Sequence, residues 1–93
     1  MKIDELLTYA LESGASDLHL STGSIPMVRI NGIMKPLNME AITAKQIDGV
    51  MPQVMNDDQI NNFRNAKEID FSYRIDGKGR FRVNFFEQIR GIS

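Results

Sequence analysis

The last third of the chain contains two runs of alternating apolar and polar residues, and these constrain the fold more than any other feature. The runs are EIDFSYRID, residues 68–76, and RFRVNFF, residues 80–86. Alternation with a period of two is typical of a strand with one buried face. Since glycine-rich Gly-Lys-Gly lies between the runs, the sequence predicts a β-hairpin. Its buried face carries Ile69, Phe71, Tyr73, Ile75, Phe81, Val83 and Phe85.

The register of this hairpin follows from placing both apolar rows on one face. A two-residue loop would turn the arginines of one strand into the core. A three-residue loop, 77–79, instead pairs Ile75 with Phe81, Tyr73 with Val83 and Phe71 with Phe85. In that register Asp76 faces Arg80, which is favourable. Arg74 faces Arg82, and these like charges repel each other unless an anion lies between them.

The first twenty residues predict a helix followed by a strand. Residues 2–13 carry an apolar stripe with helical spacing, and acidic residues near the start suit the helix dipole. In the following SDLHLS, Leu18 and Leu20 face one way. Asp17 and His19 then face the other way, so one side of this strand is buried.

A second hairpin is predicted around Asn31-Gly32, which lies between PMVRI and IMKPL. Both central residues of a type I′ turn need positive φ, and Asn-Gly is the strongest short-range signal for it. Pro36 cannot donate to a ladder, so the second of these strands lies at a sheet edge or ends there.

The middle of the chain predicts two helices. Thr43 and Gln46 have capping-box spacing at the start of AITAKQIDGVMPQVM, and Asn56 and Gln59 repeat it before a short second helix. Pro52 predicts a kink or an early end of the first helix just before it. The predicted order is αβββααββ, an α+β domain over residues 1–93 whose mainly antiparallel sheet is covered by helices.

Composition narrows the function classes. A net charge of −1 without an extended basic tract argues against nucleic-acid binding. The absence of cysteine excludes disulfides and thiolate metal sites, and it fits a reducing compartment. No run approaches the ~20 apolar residues of a membrane span. We expect a soluble cytoplasmic domain.

Two polar features are candidate sites. His19 is the only histidine, and without further ligands or a nucleophile we expect it to bond Asp17 or a backbone group. The arginines of the last twenty residues form either an ordinary solvated sheet face or an anion site, because arginine forks match phosphate geometry. The sequence DGKGR is not a phosphate loop, which requires GxxxxGK[ST] between a strand and a helix.

Several longer stretches resemble a known family. GASDLHLSTGSIPMVRINGIMKPLN, VMNDDQI, DFSYRI and RFRVNFFEQIRG are similar to the N-terminal domain of the PilT family. These are twitching-motility ATPases that retract type IV pili, within the superfamily of type II and type IV secretion ATPases. The resemblance implies a PAS-like domain joined by a short linker to a RecA-like ATPase domain, in hexameric rings. The Walker motifs of the ATPase domain are absent, so we expect an excised or truncated fragment that does not itself hydrolyse ATP.

The resemblance also implies site residues and partners. Asp17 and His19 match the domain signature, which assigns them to structure. Arg80, Arg82 and Arg90 match arginines that reach the terminal phosphates of the nucleotide, and Arg82 is the first choice. ATP and Mg²⁺ are implied for the full-length protein, and no cofactor is implied for this domain alone.

The implied partners are the ATPase domains of the same and neighbouring subunits, in a homo-hexamer, and the pilus machinery of the inner membrane. The implied location is the cytoplasmic side of that membrane, at the pilus base. The alternative is a stand-alone PAS-like module that binds a ligand or a protein, and it predicts a preformed apolar pocket.

Overall fold

The element order of the computed structural model, which describes residues 2–87, is the predicted αβββααββ. The elements are α1 (Ile3–Glu12), β1 (Ala15–Ser21), β2 (Met27–Ile30), β3 (Ile33–Pro36), α2 (Ala44–Val54), α3 (Asp57–Ala66), β4 (Glu68–Ile75) and β5 (Gly79–Phe86). The strands form one five-stranded sheet in the order β3-β2-β1-β5-β4. Within residues 2–87, β1 and β5 pair in parallel and the other pairs are antiparallel. The α+β class with a mainly antiparallel sheet is confirmed.

The three helices pack on one face of the sheet and leave the other face open. Leu18, Val83 and Phe85 of the central strands are fully buried beneath the helices. Phe63 of α3 meets Phe85 edge to face, with ring centroids 6.1 Å apart. Since alternate residues of a strand point to opposite faces, the polar residues of β1, β4 and β5 collect on the open face. We call this open side the outer face.

The start of α1 is tied to α2 by a side chain. Lys2 at the N-cap makes no side-chain cap, and the first N–H groups of a helix lack intrahelical partners. The Ile3 N–H instead donates to Gln53 Oε1 at 3.0 Å. The two helices are thus joined by a specific polar contact as well as by apolar packing.

The predicted capping boxes of α2 and α3 are both present. The Gln46 N–H donates to Thr43 Oγ1 at 3.1 Å, and the Thr43 N–H donates back to Gln46 Oε1 at 2.9 Å. Asn56 and Gln59 make the same reciprocal pair at 2.8 and 2.9 Å. Both helices therefore begin at the residues that the capping-box spacing predicted.

Of the two outcomes predicted at Pro52, a kink or an early end of α2, the early end is wrong. The helix continues to Val54, and the Met55 N–H closes its last turn on the Met51 carbonyl at 2.8 Å. Pro52 is exposed, whereas Met51 and Val54 are buried. Burial of these two side chains, each worth ~1.5–3 kcal/mol, offsets the ~3 kcal/mol that an interior proline costs.

The first hairpin has the predicted turn. Asn31 and Gly32 have φ values of 52° and 79°, and Ile30 pairs with Ile33 across them. These are the positive values that a type I′ turn requires. β3 ends at Pro36 and lies at the sheet edge, as Pro36 predicted.

The register of the second hairpin differs from the prediction by two residues. Ile75 pairs with Gly79, Tyr73 with Phe81, Phe71 with Val83 and Ile69 with Phe85. The loop has three residues but spans 76–78, and the Lys78 N–H closes it on the Ile75 carbonyl at 3.0 Å. Gly77, with φ 74°, supplies the left-handed position inside this turn. A shift by two keeps every side chain on its predicted face, so the hydrophobic pattern could not reveal the error.

Candidate functional site

Four charged side chains of alternating sign cross the outer face, one from each of four neighbouring strands. Arg29 of β2, Asp17 of β1 and Arg82 of β5 lie opposite one another in the ladder. Asp70 of β4 lies diagonally next to Arg82. We call these four residues the charge row.

The contacts within the charge row are ion pairs. Arg29 Nε lies 3.3 Å from Asp17 Oδ2, whose side chain is only 13% exposed. Arg82 donates hydrogen bonds to Asp70 from two nitrogens, from Nε to Oδ1 at 3.0 Å and from Nη2 to Oδ2. Paired donors on a carboxylate are the strong geometry for arginine. Each cation of the row therefore already has an anion beside it.

The Arg82–Asp70 contact also shifts both ionisation equilibria. The hydrogen bond from Arg82 is the main cause that lowers the pKa of Asp70, and partial burial opposes it. The same hydrogen bond and the charge of Asp70 raise the pKa of Arg82. Asp70 is thus ionised, and an anionic ligand would compete with it for Arg82.

The two remaining arginines of this hairpin lie opposite each other. Arg74 and Arg80 pair across β4 and β5, and both are exposed. Within residues 2–87, neither has an ion pair. Like charges directly opposed are destabilising, so an anion between the two guanidinium groups would be stabilised. The predicted opposition of Arg74 to Arg82 is wrong, because the shifted register places Ser72 there.

His19 lies in the next row of the outer face, between Met27 of β2 and Asn84 of β5. Its Nε2 is buried and has no hydrogen-bond partner among residues 2–87. The carboxylate of Asp17 pairs with Arg29 instead. The expected hydrogen bond from the ring is therefore not made by Nε2, and the structural role of this histidine stays a prediction.

The curated relatives of the chain are two type IV pilus ATPases and a twitching motility protein. No protein-family model matches it. The type IV pilus retraction ATPase PilT of Pseudomonas aeruginosa is 44% identical over 93 residues, all of this chain and 27% of that protein. The type IV pilus ATPase PilU of the same organism is 33% identical over 88 residues, 95% of the chain and 23% of PilU. A twitching motility protein of Neisseria gonorrhoeae is 36% identical over 66 residues, 71% of the chain and 18% of that protein.

A solved structure agrees with these sequences. The crystal structure of the pilus retraction motor PilT with bound ADP has a TM-score of 0.72 and 37% identity, covering 98% of this chain and 26% of that one. The chain is homologous to the N-terminal region of PilT. The predicted resemblance is thereby confirmed, and the chain spans 18% to 27% of the length of these curated relatives.

The resemblance noted in the sequence predicted arginines that reach the phosphates of a nucleotide. Arg74 and Arg80 fit an anionic phosphate by charge and by donor geometry. Residues 2–87 contain no group of three or more His, Cys, Asp or Glu side chains that could hold a metal ion. Arg90, the third predicted phosphate ligand, lies outside the described residues.

Two open cavities of this PilT homologue test the alternative of a ligand-binding module. A cleft of about 380 Å³ between α2, α3 and the ends of β1 and β5 is lined largely by polar groups, among them Asp48, Arg64, Lys67 and Glu87. A shallower one of about 330 Å³ runs along α1 and carries Asp4, Glu5 and Glu12. The groove along α1 has more apolar than polar lining but lies open to solvent, so neither of these two cavities is the enclosed, preformed apolar pocket that the alternative predicts.

Sequence reasoning missed the charge row. Arg29 and Asp17 face each other only once β2 is paired with β1. Asp70 comes beside Arg82 only in the observed register, since the predicted one set Asp70 opposite Phe86. The one available signal was that Asp17, Asp70 and Arg82 all alternate with core residues, which places them on one face.

The helices described within residues 2–87 are all too short or too polar to span a membrane.

Proposed function

We propose that this chain is the N-terminal domain of a type IV pilus retraction ATPase. The observation that carries the proposal is the 44% identity to PilT, which extends over all 93 residues. The structural likeness over 98% of the chain supports the same conclusion. The chain has no phosphate-loop motif, so the ATPase domain, with its ATP and Mg²⁺, is a separate RecA-like unit. The domain boundaries proposed for the N-terminal unit are residues 1 and 93.

The role of the domain is to present arginine side chains to the nucleotide in a cleft between the two domains. Arg80 is exposed and lacks an ion pair within residues 2–87, so it can bind phosphate without first leaving a carboxylate. Arg82 is held by Asp70 and must exchange that partner for the phosphate. We therefore place Arg80 first, Arg82 second and Arg90 third. Such arginines contribute ~10³ to 10⁵ in rate to phosphoryl transfer.

Occupancy of the phosphate site would set the angle between the two domains, as in hinge-type transitions. The proposed partners are the ATPase domains of the same and neighbouring subunits in a homo-hexamer. The pilus machinery at the cytoplasmic face of the inner membrane is the proposed load. The near-neutral charge of the chain supports the absence of nucleic acid from this scheme.

A chimaera tests the proposal. The matching N-terminal region of Pseudomonas aeruginosa PilT is replaced by residues 1–93 of this chain, and ATPase rate and twitching are measured. We expect activity in the chimaera and a loss of at least about tenfold in ATPase rate with Arg80→Ala. Arg64→Ala is the matched control, because Arg64 lies on α3 and pairs only weakly with Asp48 at 4.0 Å.

The outcomes separate the family assignment from the arginine assignment. A folded chimaera without ATPase activity or twitching would contradict the motor role of the domain. An active chimaera in which Arg80→Ala behaves like Arg64→Ala would leave the motor role standing and remove Arg80 from the phosphate site.

A further inference from the structure

The two edges of the sheet are protected very differently against pairing with another strand. β3 has four residues, ends at Pro36, and pairs Lys35 with the buried Val28, which places the lysine on the helix-covered side. Short length, proline and inward charge are the usual protections of an edge. β4, at the other edge, has eight residues and none of these features. Within residues 2–87, no strand pairs with the backbone edge of β4 that points away from β5.

The backbone of β4 is oriented to accept another strand. The Glu87 N–H donates to the Lys67 carbonyl at 2.9 Å, and the Lys78 N–H to the Ile75 carbonyl at 3.0 Å. Odd-numbered residues of β4 therefore point their backbone groups toward β5. In an antiparallel ladder the alternate residues point away. These are Glu68, Asp70, Ser72 and Arg74.

The side chains of β4 also leave apolar surface incompletely covered. Ile69, Phe71, Tyr73 and Ile75 lie on the helix-covered side but are only half-buried. Phe71 stacks on Phe85 with ring centroids 6.1 Å apart, yet it is still only half-buried. A strand added beside β4 would extend this apolar row as well as the ladder.

We propose that β4 pairs antiparallel with β4 of a second copy of this chain, with Phe71 on the two-fold axis. This isologous register sets Glu68 of each copy opposite Arg74 of the other, and Asp70 opposite Ser72. Both Glu68–Arg74 pairs are of opposite charge, and Glu68 relieves the repulsion between Arg74 and Arg80. Slipping by two would set Glu68 against Asp76 and Arg74 against an Asp70 that Arg82 already holds. The charges thus select one register.

The pairing does not depend on the motor assignment, and the 93-residue chain itself tests it. Sedimentation equilibrium from about 10 µM to about 1 mM measures the dimer dissociation constant. We expect a monomer–dimer equilibrium in this range. Arg74→Glu and Glu68→Arg each turn two attractive pairs into two repulsive ones, so each weakens the dimer by about tenfold.

The double variant, Glu68→Arg with Arg74→Glu, restores both pairs with exchanged signs, and we expect dissociation within about threefold of the original chain. Lys35→Glu at the β3 edge and Glu40→Arg in a loop make the same charge changes elsewhere and leave the dimer unchanged. A chain that is monomeric at about 1 mM overturns the proposal. The proposal is also overturned if the control variants weaken the dimer as much as the single variants do. It is equally overturned if the double variant dimerises no better than the single variants. Circular dichroism of each variant excludes misfolding as the cause.

Discussion

The turns of the two hairpins differ in how accurately the sequence predicts them. The β2–β3 turn was predicted to the residue, because Asn31 and Gly32 are both needed at positive φ and no other pair in that segment offers them. The β4–β5 turn offers Gly77 and Gly79, and Gly77 rather than Gly79 takes the position inside the loop. A two-residue turn with two demanding positions fixes the register, whereas a glycine-rich three-residue loop permits two registers with identical faces.

The hairpins also differ in how the core uses them. β5 is central and carries fully buried Phe81, Val83 and Phe85, whereas Ile33 of β3 is 60% exposed. The well-specified turn therefore lies at the less buried hairpin, and the ambiguous turn lies at the hairpin whose burial is greatest. Local turn chemistry compensates for weak packing in one case, and packing compensates for permissive turn chemistry in the other.

The largest expected effect comes from breaking the packing of the second hairpin. Phe85→Ala removes a fully buried ring that contacts Phe63 and Phe71, and it should lower the free energy of unfolding by ~3–5 kcal/mol. Ile33→Ala, the corresponding truncation in the first hairpin, should cost less than ~0.5 kcal/mol. Urea unfolding followed by circular dichroism measures both. Similar losses in the two variants would contradict the difference in burial.

An intermediate effect should come from breaking the turn of the first hairpin. Gly32 has φ 79° with open space around it, so Gly32→Ala costs ~1–2 kcal/mol through backbone strain alone. Gly49→Ala is the matched control, because Gly49 lies inside α2 without positive φ and its Cβ would meet nothing within 4 Å. That control should gain up to ~1 kcal/mol. A destabilised control and an unaffected Gly32 variant would reverse the interpretation.

The smallest expected effect comes from removing the charge of Asp70, and it tests the register of the second hairpin. Its folded-state pKa is lowered by Arg82, below the ordinary value of about 3.9. The ion pair therefore stabilises the fold above the unfolded pKa, and this contribution is lost as the pH falls through the folded-state value. Asp70→Asn should lower the urea midpoint only slightly at pH 7, since exposed pairs contribute little. The difference from the original chain should shrink as the pH falls below the unfolded-state value.

Asp76→Asn is the comparison for that variant. In the predicted register Asp76 would face Arg80, whereas in the observed one it lies in the loop. A pH-dependent loss for Asp76→Asn and none for Asp70→Asn would favour the register that the structure replaced.

The sequence specified the fold more fully than the site. Element order, the faces of β1, β4 and β5 and both capping boxes follow from local patterns that one segment carries by itself. The charge row requires four strands in a known register, and no single segment contains that information. The continuation of α2 through Pro52 was likewise hidden, because it depends on what buries Met51 and Val54 rather than on the proline.

The pairing of β1 with β5 has a consequence for synthesis on the ribosome. β1 is complete by residue 21, and its central partner spans residues 79–86. Until those residues have emerged from the ribosome, β1 lacks its partner strand on one side. The sheet on which the helices pack is then incomplete. Contacts so distant along the chain slow folding. Release of β5, rather than the early appearance of helices, should therefore set the moment at which this part of the nascent chain becomes resistant to proteases.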